Sequence, residues 1–157
     1  MGASANARAA NAGRVRSDSA QPRYDDVDVG TPIPRYVAPA VTRLALALFA
    51  SAAADHNPIH VDDAEARAAG LPGAIVHGML TMAFLGELVT RWIPLRSLRA
   101  LEGRFVAMAY PGDVITCEGT IVRKLDEGTE RCVELELVAH ARDGVKLLTG
   151  KATVALP

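Results

Sequence analysis

Between positions 77 and 93 only His77, Thr81, Glu87, Thr90 and Arg91 are clearly polar. Apolar residues would cover nearly the whole circumference of a helix drawn through that segment, and such a helix has to be enclosed by other structure. Pro94 ends it. The remaining third of the chain is strand-like throughout: residues 97–110 and 114–125 separated by Pro111-Gly112-Asp113, then residues 131–141 and 145–156 set off by Asp126-Glu127-Gly128 and Arg142-Asp143-Gly144. In the third of these runs Val133, Leu135, Leu137 and Ala139 alternate with more polar neighbours, the period-two pattern of a half-buried strand. Hairpin-linked neighbours make an antiparallel sheet, so the chain predicts an α+β domain, about five strands curled round one long buried helix. One small sheet leaves its edges open and gives such a helix incomplete cover. Pairing of two copies through sheet edges answers both needs.

The 157 residues suit one domain. Residues 1–23 show no periodicity and few large apolar groups, which predicts a floppy tail ahead of a domain at 24–157. Residues 33–41 are extended, with Pro32, Pro34 and Pro39 confining them to an edge or an irregular strand. Thr42 suits the N-cap of a helix reaching about Ala53, whose Leu44, Leu46, Leu48 and Phe49 leave little polar face and predict burial. Asp62 or Asp63 caps a short helix, with Glu65 placed for a capping box, Gly70 for a left-handed end and Pro72 as a stop. A net charge of −1 offers no basic footprint for nucleic acid. Cys117 and Cys132 make no metal spacing and suit free thiols. No apolar run reaches the length of a membrane span, and the N-terminus lacks the apolar core of a secretory signal. Its Arg-, Ser- and Ala-rich start is also a transit-peptide composition, but a cytoplasmic protein is the expectation.

The chemistry-bearing stretch is Asp55-His56-Asn57-Pro58-Ile59-His60, which sets a carboxylate and an imidazole either side of a proline. Taken alone, Asp55 could cap a turn and His60 could pack against the next helix. A metal reading would join His56 and His60 to Asp55, but Pro58 spoils the helical face both rings would share. Further along, Gly78 opens the apolar helix, where an unpaired backbone N–H could stabilise charge on a carbonyl oxygen; a small residue at a close approach is the plainer reading. His77 suits a structural part in that turn, and His140 falls on the polar side of its strand. Arg91, Arg96, Arg99 and Arg104 could meet carrier phosphates, although a solvated cluster is the default.

The Asp55-His56-Asn57-Pro58-Ile59-His60 run followed by His77-Gly78-Met79-Leu80 resembles the MaoC-type dehydratases, also called (R)-specific enoyl-CoA hydratases. The likeness extends from about Tyr24 to the C-terminus and takes in Arg104-Phe105 and Tyr110-Pro111-Gly112-Asp113-Val114. It implies a hot-dog fold, assembled as a homodimer or a dimer of dimers, with an overhanging loop and short extra helices. It implies addition or removal of water across the 2,3 double bond of an acyl thioester, presented by coenzyme A or acyl carrier protein. Asp55 and His60 would be the acid–base pair and Gly78 the oxyanion donor. Asn57, Pro58, His77 and Met79 would line or shape the substrate site. Neither metal nor organic cofactor is implied. Ala53-Ala54 departs from the family, in which a Gly often precedes the Asp. A thioesterase on the same fold, or a non-catalytic acyl-thioester-binding or partner subunit, are the rival roles.

Overall fold

The structure is a computed structural model describing residues 21–127 and 130–157. The expected tail at 1–23 lies almost wholly outside the described residues; Gln21 is anchored, its Nε2 donating to Ser97 Oγ at 3.1 Å.

Five strands form one curled antiparallel sheet: β1 (Tyr36–Val37), β2 (Leu98–Phe105), β3 (Thr116–Glu127), β4 (Glu130–His140) and β5 (Lys146–Ala155). Their order across the sheet is β1-β3-β4-β5-β2. The pairing register shifts at 121/123, 98/100 and 139/140, and irregularities of this kind bend strands and deepen twist. Val133, Leu135, Leu137 and Ala139 all point into the core, as their alternation requires.

Helices α1 (Arg43–Ala53), α2 (Asp63–Ala68) and α3 (Gly78–Trp92) complete the chain. α3 lies in the curl of the sheet and buries Thr81, Leu85, Leu88 and Val89 against it. Two glycines permit that approach. A Cβ on Gly103 would come within 2.7 Å of Met82 Sδ, and one on Gly150 within 2.6 Å of the Glu102 carbonyl and 3.3 Å of a Leu85 methyl. The sheet covers one side only; Met79, Ala83 and Arg91 stay exposed along the other.

α1 departs from expectation. It buries only Leu46 and Ala50, while Leu44 and Leu48 are 69% and 63% exposed. The helix lies on the overhanging segment, outside the sheet's curl, so one face alone has anything to pack on. Thr42 does cap it, accepting from Ala45 N–H at 3.0 Å. Asp62 caps α2 through Ala64 and Glu65 N–H, and Gly70 takes the left-handed conformation at φ 85°. Arg43 reaches from α1 to Asp63 at 2.7 Å, tying the two overhanging helices together. Among the described residues no helix is long and apolar enough to cross a membrane.

Candidate active site

α1 ends where Ala54 enters the left-handed region (φ 53°), its N–H bonded back to Ala50 O. A residue with a Cβ is uncommon there. The next turn is built by its own polar side chains: Asp55 Oδ1 accepts from Asn57 N–H at 3.4 Å, and Asn57 Oδ1 accepts from Ile59 N–H at 3.2 Å. Pro58–His60 then makes one 3-10 turn that buries His60 and leaves the Asp55 side chain about half exposed. Asp55 thus does cap a turn, with one oxygen, and keeps the other free for His60.

The His60 ring is oriented by the backbone beside it. Its Nδ1 lies 2.9 Å from Ile75 O, while Ile75 N–H donates to Ile59 O at 3.1 Å. A carbonyl only accepts, so Nδ1 carries a proton, and in the neutral form of the ring the lone pair is at Nε2. That nitrogen is 3.7 Å from Asp55 Oδ2. Two acceptors at this distance do not bond to each other. They converge on a molecule able to donate to both, and water is the smallest that can.

Beneath His60 lies His77, fully buried, with the ring centroids 3.8 Å apart and the planes 23° from parallel. Phe49 of α1 packs against His77 at 5.1 Å. His77 Nε2 is 3.3 Å from the Asp55 carbonyl, which again assigns the proton to the nitrogen facing the oxygen. Nδ1 is then a buried acceptor without a partner among the described residues. Burial, with a contribution from His60, holds the His77 imidazole below its ordinary pKa, so this ring is neutral near pH 7.

Asp55, His60 and His77 each place a possible ligand atom within 4.8 Å of the others. A shared cation would have to lie in both ring planes, along the nitrogen lone pairs. Rings stacked face to face have no such common point, and His77 Nε2 already faces a carbonyl. The donor set fits a proton relay better than an ion. His56 is exposed and outside this group.

Gly78 is the first residue of α3, so its N–H has no carbonyl one turn back within the helix. No acceptor among the described residues takes it. It opens on a cavity of about 180 Å³ walled by His60, Thr81, Phe105, Met108 and Leu147, mostly apolar surface. The three expected chemical groups are therefore brought together: Asp55 and His60 at 3.7 Å, and His60 and Gly78 in one cavity wall. Asn57 and Pro58 build the turn and are exposed; Met79, 58% exposed, stands beside Gly78 but outside that wall. Of the arginines, Arg91 pairs with Glu87 and Arg99 with Glu130. His140 lies 4.0 Å from Glu118, on its own strand pair.

The sequence reading did not single out Thr81, the Ile75 carbonyl, Phe49 or the position of the Phe105 ring. Thr81 could have been found, being one helical turn beyond Gly78 and so on the same face. The others arise from long-range packing that leaves no local pattern.

Comparison with known proteins agrees with this architecture. A family model, the MaoC like domain, matches residues 27–142. The chain is 35% identical over 125 residues to the fatty acid synthase subunit beta of Aspergillus oryzae, covering 69% of this chain but only 6% of that protein. The chain also spans less than half the length of other long curated relatives it matches. With the (R)-specific enoyl-CoA hydratase of Aeromonas caviae it shares 29% identity over 115 residues, 71% of this chain and 84% of that one. The unliganded R-hydratase PhaJ1 of Pseudomonas aeruginosa superposes with a TM-score of 0.75 at 25% identity, over 86% of this chain and 85% of that one. With the family model matching most of the described domain, the chain belongs to the MaoC-like dehydratase family and has its hot-dog fold.

Proposed function

We infer that the protein adds water to, and removes it from, the 2,3 double bond of acyl thioesters, interconverting 2-enoyl and (R)-3-hydroxyacyl forms. The observation that carries this is the pair of acceptors, His60 Nε2 and Asp55 Oδ2, facing each other at 3.7 Å beside a free helix-start N–H. A water held between them has its oxygen lone pairs turned toward the substrate. Its oxygen bonds to C3 as one of its protons leaves to the pair, and the displaced π electrons run into the thioester carbonyl. The Gly78 N–H then meets an enolate oxygen in a largely apolar cavity, where a fixed dipole is most effective. The pair delivers a proton to C2, on the face where the water was held, and the site returns to its starting charge. The likeness to the A. caviae hydratase supports the same reading. Coenzyme A or acyl carrier protein would present the acyl group.

Incubation of the purified protein with crotonyl-CoA, following enoyl absorbance and free thiol together, tests this. Loss of enoyl absorbance without thiol release is expected. Thiol release with the enoyl chromophore intact would establish a thioesterase instead. Silence in both signals, across acyl chains of several lengths, would leave a binding role.

The working form is proposed to be a homodimer. Two observations support it: the side of β2, a strand of eight residues, that no described strand pairs with, and the exposed line of Met79 and Ala83 on α3 beside it. Phe105, Val106 and Met108 add exposed apolar surface near the same edge.

A further inference from the structure

Asp55 and His60 share a turn whose own hydrogen bonds, Asp55 to Asn57 and Asn57 to Ile59, close within itself. Those bonds give the turn its shape. They do not set where it sits over the head of α3, which is what aligns the acid–base pair with Gly78. On the His60 side that placement comes from the Ile75 carbonyl. On the Asp55 side the turn hangs from α1 through Asp55 N–H to Ala50 O at 3.1 Å, and its contact with the head of α3 is His77, whose Nε2–H reaches the Asp55 carbonyl at 3.3 Å.

His77 has two properties that space-filling does not require. It keeps Nδ1 buried without a partner among the described residues, a cost that an apolar side chain would avoid. It also presents its ring face to His60 at 3.8 Å and 23°, near the closest separation two rings adopt. When His60 takes a proton during turnover, the resulting cation lies over the face of a neutral ring, a favourable arrangement. The titratable groups that face His77 are Asp55 from the turn and His60 from the 3-10 segment; Phe49, from α1, carries no charge.

We propose that His77 is a positioning residue for the hydration reaction: its Nε2–H clamps the Asp55 backbone and its ring carries the His60 imidazole, so the head of α3 sets the spacing of the acid–base pair. This rests on the hydratase reading above. No atom of His77 need touch the substrate, and it forms no part of the cavity wall.

Two substitutions separate the clamp from the platform. His77→Phe keeps a neutral ring face under His60 and removes the donor. His77→Gln keeps an N–H donor and removes the face. With crotonyl-CoA, His77→Phe is expected to lower kcat by about tenfold or more with KM changed by no more than about threefold. His77→Gln is expected to recover part of that loss in kcat but to move the acidic limb of the kcat/KM pH profile to lower pH. A merely structural role would instead leave the pH profile in place and lower kcat only in proportion to the folded fraction. That result in both variants overturns the proposal. Imidazole 15N spectra add a readout that needs no turnover. The expected result is a single Nδ1–H tautomer for His60 in the wild type and in His77→Phe, which keeps the ring face, and a mixture in His77→Gln, which removes it; an unchanged His60 spectrum in His77→Gln also overturns the proposal. Should the wild type hydrate no enoyl thioester, the hydratase reading fails and the spectra alone decide whether His77 places His60. If His77→Phe does not fold, His77→Gln is read in both measurements.

Discussion

The ring of Phe105 lies so close over Gly78 that a Cβ there would come within 3.1 Å of its Cε1. Ala and Pro at position 78 both bring that crowding, and only Pro also removes the N–H. Pro is well tolerated at the first position of a helix, and His77 already has the extended backbone (ψ 127°) that a Pro at the next position requires. Gly78→Pro should therefore fold and lose about 10²–10³ in kcat, the usual consequence of deleting an oxyanion donor. Gly78→Ala should keep most of kcat and show its cost in KM. Equal losses in kcat for the two variants would mean that the Phe105 contact, and not the donor, is what position 78 supplies.

Asp55→Asn and His60→Gln should each lower kcat by about 10²–10⁴ in crotonyl-CoA hydration, the range for removing a positioned acid or base. Asp55 is half exposed on an irregular turn, so the thermal unfolding midpoint of Asp55→Asn should move little, whereas His60→Gln gives up a buried, stacked ring and should lower its midpoint measurably. A variant that lost its rate only by unfolding would show a matching fall in its circular dichroism signal.

The Arg43–Asp63 ion pair makes a pH prediction. Hydrogen bonding from Arg43, then from Ala74 N–H, holds the Asp63 carboxyl below its ordinary pKa. A carboxyl depressed in the folded state contributes stability that is present above its unfolded pKa of about 3.9 and is lost as pH falls through the folded value. Asp63→Asn should lower stability at pH 7, and its difference from wild type should shrink in acid, as the pH falls from the unfolded carboxyl pKa through the lower folded one. Denaturant titrations at pH 7 and in acid measure this. A constant gap between the proteins across that range would exclude the pair as its source.

Ala83 is exposed on the uncovered side of α3, away from the cavity wall. If a second copy covers that side, Ala83→Arg should convert a dimer to a monomer in light scattering. A wild type that scatters as a monomer at micromolar concentration would refute the dimer outright.

Legibility tracked the range of the interactions involved. α3 was readable from its apolar run and Pro94, and β4 from the alternation of Val133, Leu135, Leu137 and Ala139, because both signals are local. The approach of Asp55 to His60 was readable because Asn57 and Pro58 force a turn between them. α1 misled: its apolar residues resemble those of α3, yet Leu44 and Leu48 face outward. Composition records that a surface is apolar but not what covers it. The tautomer of His60 was beyond reach for a different reason. It depends on the carbonyl of Ile75, fifteen positions away, and a backbone carbonyl is present at every residue alike.

The two ends of the sheet are unlike. β1 is two residues long, with Pro34 and Pro39 on either side and Pro32 bridged to Thr120, so that border offers a further strand few donors. β2 carries no proline over its whole length. Growth by strand addition therefore has one direction open to it. Two copies joined along β2 by a two-fold axis would expose only their proline-bearing borders, and such a union terminates itself. The same asymmetry that invites a first partner turns away the next, which separates a closed pair from a fibre.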